Sequence, residues 1–301
     1  MRNLTLSTDL AAAAIGGLAA AILAGLVLAY GARSGPPAIE VSSATDLAAL
    51  FESRGYAAPL PAAGPVPRLL LAALPGDLDR IGIPVERKAL FLRIMLPLVL
   101  TVNEEIAAER AQLLALADRI AGGAPLTGEQ ADVLAMLAHR YRVRPGGDPA
   151  RDVAQLLAKV DAVPPSLAAA QAALESGWGT SRLAREGNAL FGERTWTEAG
   201  LEPLQPLPGA RHRARSFDGL LDAVRSYALN LNSHPAYDGF RRARAAARSA
   251  GRPSDGAALA GHLTRYSELG AAYTEALRRL IRANRLDRLD RAALQPGSAA
   301  L

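Results

Sequence analysis

The chain contains no cysteine, which excludes disulfide bridges, thiol nucleophiles and cysteine metal ligands and leaves the redox compartment open. Lysine is nearly as scarce: Lys88 and Lys159 stand alone among 34 basic residues, so arginine carries the basic character. The four histidines, His139, His212, His234 and His262, form no pair at metal-ligand spacing, and no metal or other cofactor is expected. Ser176 is not a hydrolase nucleophile, because Leu174 occupies the position where the nucleophile elbow requires glycine. No zinc-ligand spacing and no aromatic and basic RNA motif accompanies the net charge of +5, so no nucleic-acid partner is expected. What the sequence does have is 301 residues with 50% hydrophobic content, enough to bury the core of one or two domains.

Charge is also missing from residues 10–32, and an apolar helix of about 20 residues spans a bilayer. Ala29, Tyr30 and Gly31 offer a small-x-small cleavage signal, but the apolar run exceeds the roughly 7–15 residues of a signal-peptide core. An uncleaved membrane helix is therefore the expectation for residues 1–35, with the membrane as one partner.

Residues 36–160 read as a helical N-terminal region. Leu47, Leu50 and Phe51 suggest a short amphipathic helix, and residues 59–67 form a proline-rich connection. Leu90, Ile94, Leu98, Val102 and Ile106 predict a long helix over about 85–116, kinked at Pro97. Further helices are expected at 127–139 and 148–160. Residues 161–285 form the next domain, with helices near 220–231, 255–266 and 271–282, and residues 286–301 are left as a tail. Between Glu193 and Ser216 the helical period is lost, which predicts a small hairpin or irregular lobe beside a mainly α body.

The segment ALESGWG, residues 173–179, places an acid where helix physics disfavours one. Pro164, Pro165 and Ser166 start a helix, Leu167, Ala170 and Leu174 continue it, and Gly177 and Gly179 stop it. Glu175 then lies in the last turn, where unpaired carbonyls repel a carboxylate. If Trp178 also shields it from water, both effects raise its pKa, as a general acid requires.

Residues 164–192, PPSLAAAQAALESGWGTSRLAREGNALFG, followed by 226–237, SYALNLNSHPAY, resemble the glucosaminidase domain of the bacterial Bax-like family. Residues 91–106, FLRIMLPLVLTVNEEI, are similar to the helical region that precedes the domain in that family. The resemblance implies a lysozyme-like helical fold and an endo-β-N-acetylglucosaminidase acting on peptidoglycan glycan strands. It further implies Glu175 as general acid and Tyr237 as an active-site tyrosine. That polymer places the domain in the periplasm, anchored to the inner membrane.

Glycoside hydrolysis needs a proton for the departing oxygen and something to meet the positive charge on the sugar. Glu193, Glu198 and Glu202 all lie in the expected small lobe, and Glu198 is preferred because it follows Trp196; the substrate's own acetamido oxygen is the alternative. Trp178 and Trp196 are expected to bind sugar faces, with helix-end packing the competing reading for Trp178. Asn188 and Phe191 form a loop edge with an apolar wedge and complete the expected substrate-binding set. Tyr227 belongs to an apolar helix face, and the arginines Arg211, Arg213, Arg215, Arg241, Arg242 and Arg244 read as a solvated face, with attraction of peptide-stem carboxylates the competing reading. A muramidase, a lytic transglycosylase or a non-catalytic wall-binding protein are the rival readings.

Overall fold

The computed structural model describes residues 38–58, 65–195, 200–202 and 213–296. The apolar segment 10–32, Trp196 and Glu198 lie outside these residues. Among the described residues no helix is long and apolar enough to cross a membrane.

The fold is organised around helix α2, Pro84–Ala121, which follows α1, Ala44–Ser53. Every residue from Leu90 to Val102 is buried, and a helix that is apolar all round must sit at the centre of a core. It runs without interruption through Pro97, whose carbonyl accepts a hydrogen bond from the Thr101 hydroxyl at 2.8 Å. Helix α3, Gly128–Arg140, begins with a capping box between Thr127 and Gln130, and α4 spans Pro149–Lys159. Next come α5, Pro165–Ser176, which carries Glu175, and the short α6, Arg182–Gly187. Helix α7 covers Leu220–Ser233, α8 Asp238–Ser249, α9 Gly256–Ala260 and α10 Ala271–Ala283. Helix α2 packs on α4, α5 and α7, and α5 is enclosed by α2, α9 and α10.

The described residues from Ile39 onward pack as one compact unit across residue 160, the point expected to divide the helical N-terminal region from the next domain. The reason is α2, which supplies the core for helices on both sides of that point. The described part of the C-terminal segment, residues 286–296, packs against the helical body. Leu286–Arg291 forms a 3-10 helix packed on α5, and strand β5, Ala293–Leu294, pairs in parallel with β1, Pro65–Val66.

The small lobe is a three-stranded antiparallel sheet of β2, Arg194–Thr195, β3, Gly200–Leu201, and β4, Arg213–Arg215, with β4 in the middle. Gly200 pairs with Arg215, and a Cβ there would stand 2.7 Å from the Ala214 carbonyl, so the sheet closes only on glycine.

The helix expected over 255–266 stops at Ala260. Amides of Gly261, His262 and Leu263 bond three residues back at 3.0–3.2 Å, and the tightened chain delivers Tyr266 to the loop before β2. Arg241 and Arg244 are buried rather than solvated. Arg244 donates to the carbonyls of Lys159, Asp161 and Ala162 at 2.9–3.1 Å and so pins the turn that leads into α5.

Candidate active site

Helix α5 is built from alanine because it is covered on every side: residues Pro165 to Ala173 are all buried. Its own segment supplies no side-chain cap, and Ser166 is bonded instead by Asp290 of the C-terminal 3-10 helix. At the other end the chain turns through three successive left-handed residues, Gly177, Trp178 and Gly179, with φ of 59°, 60° and 78°. Gly179 has no room for a side chain, since a Cβ would meet Leu78, Phe91 and Leu74 at 2.8–3.1 Å. Ser176 bonds the helix end as expected, accepting from the Gly179 amide at 2.8 Å and donating to the Ala172 carbonyl.

This turn leaves Glu175 half-buried in the last turn of α5. Its Oε1 accepts from the Tyr273 hydroxyl of α10 at 2.7 Å. Its Oε2 lies toward Gly192, where a Cβ would stand only 2.7 Å away, and Gly192 is exposed with a φ of 65°. Burial raises the Glu175 pKa above the usual carboxylate range, while the Tyr273 hydrogen bond and the charge of Arg194 pull it partly back. Burial therefore dominates.

Three tyrosines continue from this point as a ladder. Tyr273 stacks on Tyr266 with centroids 5.6 Å apart and planes 6° apart, and Tyr266 lies 5.9 Å from Tyr237. The Tyr266 hydroxyl donates to the Phe191 carbonyl at 2.9 Å, which ties the loop before β2 to the helical body. Glu193 follows in that loop. It is 12% exposed, its Oε2 accepts from Ser226 at 2.8 Å, and Arg215 stands 3.5 Å away. Burial raises its pKa as well, against the Ser226 and Arg215 hydrogen bonds, and its Oε1 is buried without a partner. Burial above all raises the Tyr266 pKa, and the charges of Glu175 and Glu193 both add to that rise.

The expected site residues are distributed as follows. Glu175 and Tyr237 lie at opposite ends of the tyrosine ladder, and the phenol that bonds Glu175 belongs to Tyr273, which sequence reasoning did not single out. Tyr237 is buried, and burial raises its pKa while a bond with Asn230 lowers it. The Phe191 ring is 2% exposed and stacks on Tyr227 at 4.0 Å, while its carbonyl accepts from Tyr266. Asn188 caps α6 in a left-handed conformation and donates to the Phe217 carbonyl at 3.1 Å. Trp178 packs edge-on against Phe91 at 5.9 Å, with the Lys88 ammonium 4.9 Å above its ring. Glu202 is an exposed partner of Arg213 at 2.8 Å. Glu193 was one of three small-lobe acids in the sequence, and its desolvated setting sets it apart from Glu202. Among the described residues no group of three or more His, Asp or Glu side chains is placed to hold a metal.

The arrangement offers an acid with a raised pKa at an exposed backbone edge and a second desolvated carboxyl in the loop that forms that edge. Residues 151–286 match the glucosaminidase family, described as mannosyl-glycoprotein endo-beta-N-acetylglucosaminidase. The chain is also 36% identical over 203 residues to Protein bax of Escherichia coli (strain K12), an overlap covering 67% of this chain and 71% of that protein. No solved structure matches the chain. The matched span contains Glu175, Glu193, Tyr266 and Tyr273, and with the longer similarity it shows that the chain belongs to the Bax-like family of glucosaminidase-domain proteins.

Proposed function

We propose that the protein is a peptidoglycan hydrolase that cleaves the β-1,4 glycosidic bond after N-acetylglucosamine, with Glu175 as general acid. The observation that carries this reading is the Glu175 carboxyl itself, raised in pKa by burial and turned toward the exposed backbone of Gly192. A carboxyl in that state holds a proton that it can pass to the departing sugar oxygen. Membership of a glucosaminidase family supports a glycan as substrate. A helical body with a small three-stranded lobe beside the acid is consistent with the lysozyme-like arrangement that the sequence resemblance implies.

Glu193 is the described small-lobe acid best situated to meet positive charge on the sugar, because it follows Gly192, toward which Oε2 of Glu175 lies, and its side chain is largely removed from water. The apolar segment at 10–32 supports an anchor in the inner membrane with the enzyme in the periplasm, where its polymer lies.

Digestion of purified sacculi, with analysis of the released ends, tests the reading. Wild type is expected to release fragments that end in reducing N-acetylglucosamine, and Glu175→Gln to release none. Reducing muramic acid or anhydro-muramic ends would overturn the bond assignment. Binding to sacculi without release by either protein would overturn the enzyme assignment.

A further inference from the structure

The two carboxyl oxygens of Glu175 stand in different surroundings, and a buried chain of side chains distinguishes them. We infer that Gln171, oriented by Tyr227 and acting through Tyr273, is a positioning group that makes Oε1 of Glu175 an acceptor and leaves Oε2 as the oxygen that gives up the proton. This rests on the glycosidase reading above.

Gln171 lies one helical turn before Glu175 on the same face of α5, and it is fully buried in a run of alanines. Its Oε1 accepts from the Tyr227 hydroxyl at 2.8 Å, and its Nε2 donates to the Tyr273 hydroxyl at 3.0 Å. Tyr273 then donates to Glu175 Oε1 at 2.7 Å. An amide nitrogen only donates and an amide oxygen only accepts, so the orientation of Gln171 fixes the sense of every link. Because Tyr273 receives a hydrogen bond from Gln171, its single proton is free for Glu175. Oε1 of Glu175 is therefore occupied from the protein interior, and the acidic proton belongs on Oε2, beside exposed Gly192.

Tyr227 sets this orientation. Its ring is fully buried and stacked on Phe191, and its hydroxyl proton, shut off from bulk solvent, needs an acceptor in the protein. Turning the amide over would leave that proton facing an NH2 group. It would also make Tyr273 donate to Gln171 and accept from Glu175, which draws the acidic proton onto the inward oxygen. An unsatisfied buried donor disfavours the reversed amide by on the order of tenfold or more. Burial and the neighbouring Glu175 charge push the Tyr273 phenol far above its ordinary range, so it stays a neutral donor throughout the working pH. Successive hydrogen bonds polarise one another, and each link strengthens the donation to Oε1. That donation opposes the effect of burial and keeps Glu175 from becoming too weak an acid.

The test is the titration of Glu175 in the full-length protein, held in detergent, by NMR of 13C-labelled glutamate carboxyls, with Glu175→Gln assigning the resonance. Tyr227→Phe, Gln171→Met and Tyr273→Phe are compared with wild type, together with pH profiles of kcat and KM on sacculi. The Glu175 midpoint is expected to rise in all three, least in Tyr227→Phe and most in Tyr273→Phe. The basic limb of the kcat profile should move up with it, and kcat at the optimum should fall about fivefold for Gln171→Met at unchanged KM. Midpoints at the wild-type value in Tyr227→Phe and Gln171→Met overturn the inference, as does a loss of rate that tracks thermal stability with the midpoint fixed. If Gln171→Met fails to fold, Tyr227→Phe, which keeps the ring stack, decides alone. Shifted midpoints in a protein whose wild type releases nothing from sacculi overturn the glycosidase reading and leave the positioning chain standing.

Discussion

Asp290 closes the first turn of the helix that carries Glu175: its Oδ1 accepts from the Ser166 amide at 2.8 Å and its Oδ2 from the Ser166 hydroxyl at 2.7 Å. A helix that opens on two prolines has few amides to satisfy there, and one carboxylate from 124 residues away completes the set. The same carboxylate receives the Gly256 amide of α9 at 3.3 Å. Three segments of the fold thus meet at one side chain.

Burial pushes the Asp290 carboxyl up to about 6 from the ordinary 3.8, against the hydrogen bonds from Ser166 and Gly256. The folded state then binds this proton more tightly than the unfolded chain. Stability from this group is full below the unfolded value and is lost as the pH rises through about 4 to 6. Urea unfolding of wild type and Asp290→Asn in steps from pH 4 to 8 should give a stability difference that moves against wild type by about 1–3 kcal/mol across that window and is flat above it. A difference independent of pH would show that the carboxyl does not titrate there.

Gly256 is where α9 touches α5. A Cβ at this position would overlap the Ser166 hydroxyl and stand 2.9 Å from the Leu167 nitrogen, and backbone cannot move aside as a side-chain tip can. Gly256→Ala is expected to cost about 1–3 kcal/mol by overpacking. Thermal unfolding should show the loss, with kcat on sacculi largely retained below the lowered Tm.

Gly192→Ala should separate activity from stability in the opposite sense. The left-handed backbone disfavours alanine by about 1 kcal/mol, but the close contact is with the flexible end of Glu175, which yields before the fold does. The carboxyl is displaced from its place beside the loop. A fall in kcat of about tenfold or more, beyond what a drop in Tm explains, is the expected result, since a misplaced acid loses most of its contribution.

Much of the helical framework was legible in the sequence because helical periodicity is a local signal. The helix expected over 127–139 appears at Gly128–Arg140, and that over 271–282 at Ala271–Ala283. Glu175 was legible for the same reason, as an acid in a last turn closed by glycine. Its setting was not, because the partners are remote: Tyr273 is 98 residues away and Asp290 meets Ser166 across 124. Phe191 illustrates the limit of residue type as a guide, since an apolar residue in a loop suited a groove wall but is stacked inside on Tyr227. Gln171 did leave a local trace, as one amide in a run of buried alanines a turn before the acid.

Trp178 combines a strained backbone with a packed side chain, and the two contributions can be measured apart. Its φ of 60° is costly for any residue with a Cβ, by about 1–2 kcal/mol. The ring repays this through its edge-on contact with Phe91 and the Lys88 ammonium above it. Trp178→Ala keeps the strain and loses the contacts, so a destabilisation of about 3 kcal/mol is expected. Trp178→Gly loses the same contacts but relieves the strain, and should be about 1 kcal/mol more stable than the alanine variant. If the ring served mainly as a sugar platform, both variants would raise KM with little change in Tm. Packing on α2 predicts the reverse: KM on sacculi unchanged, and two different losses of stability ordered by backbone strain.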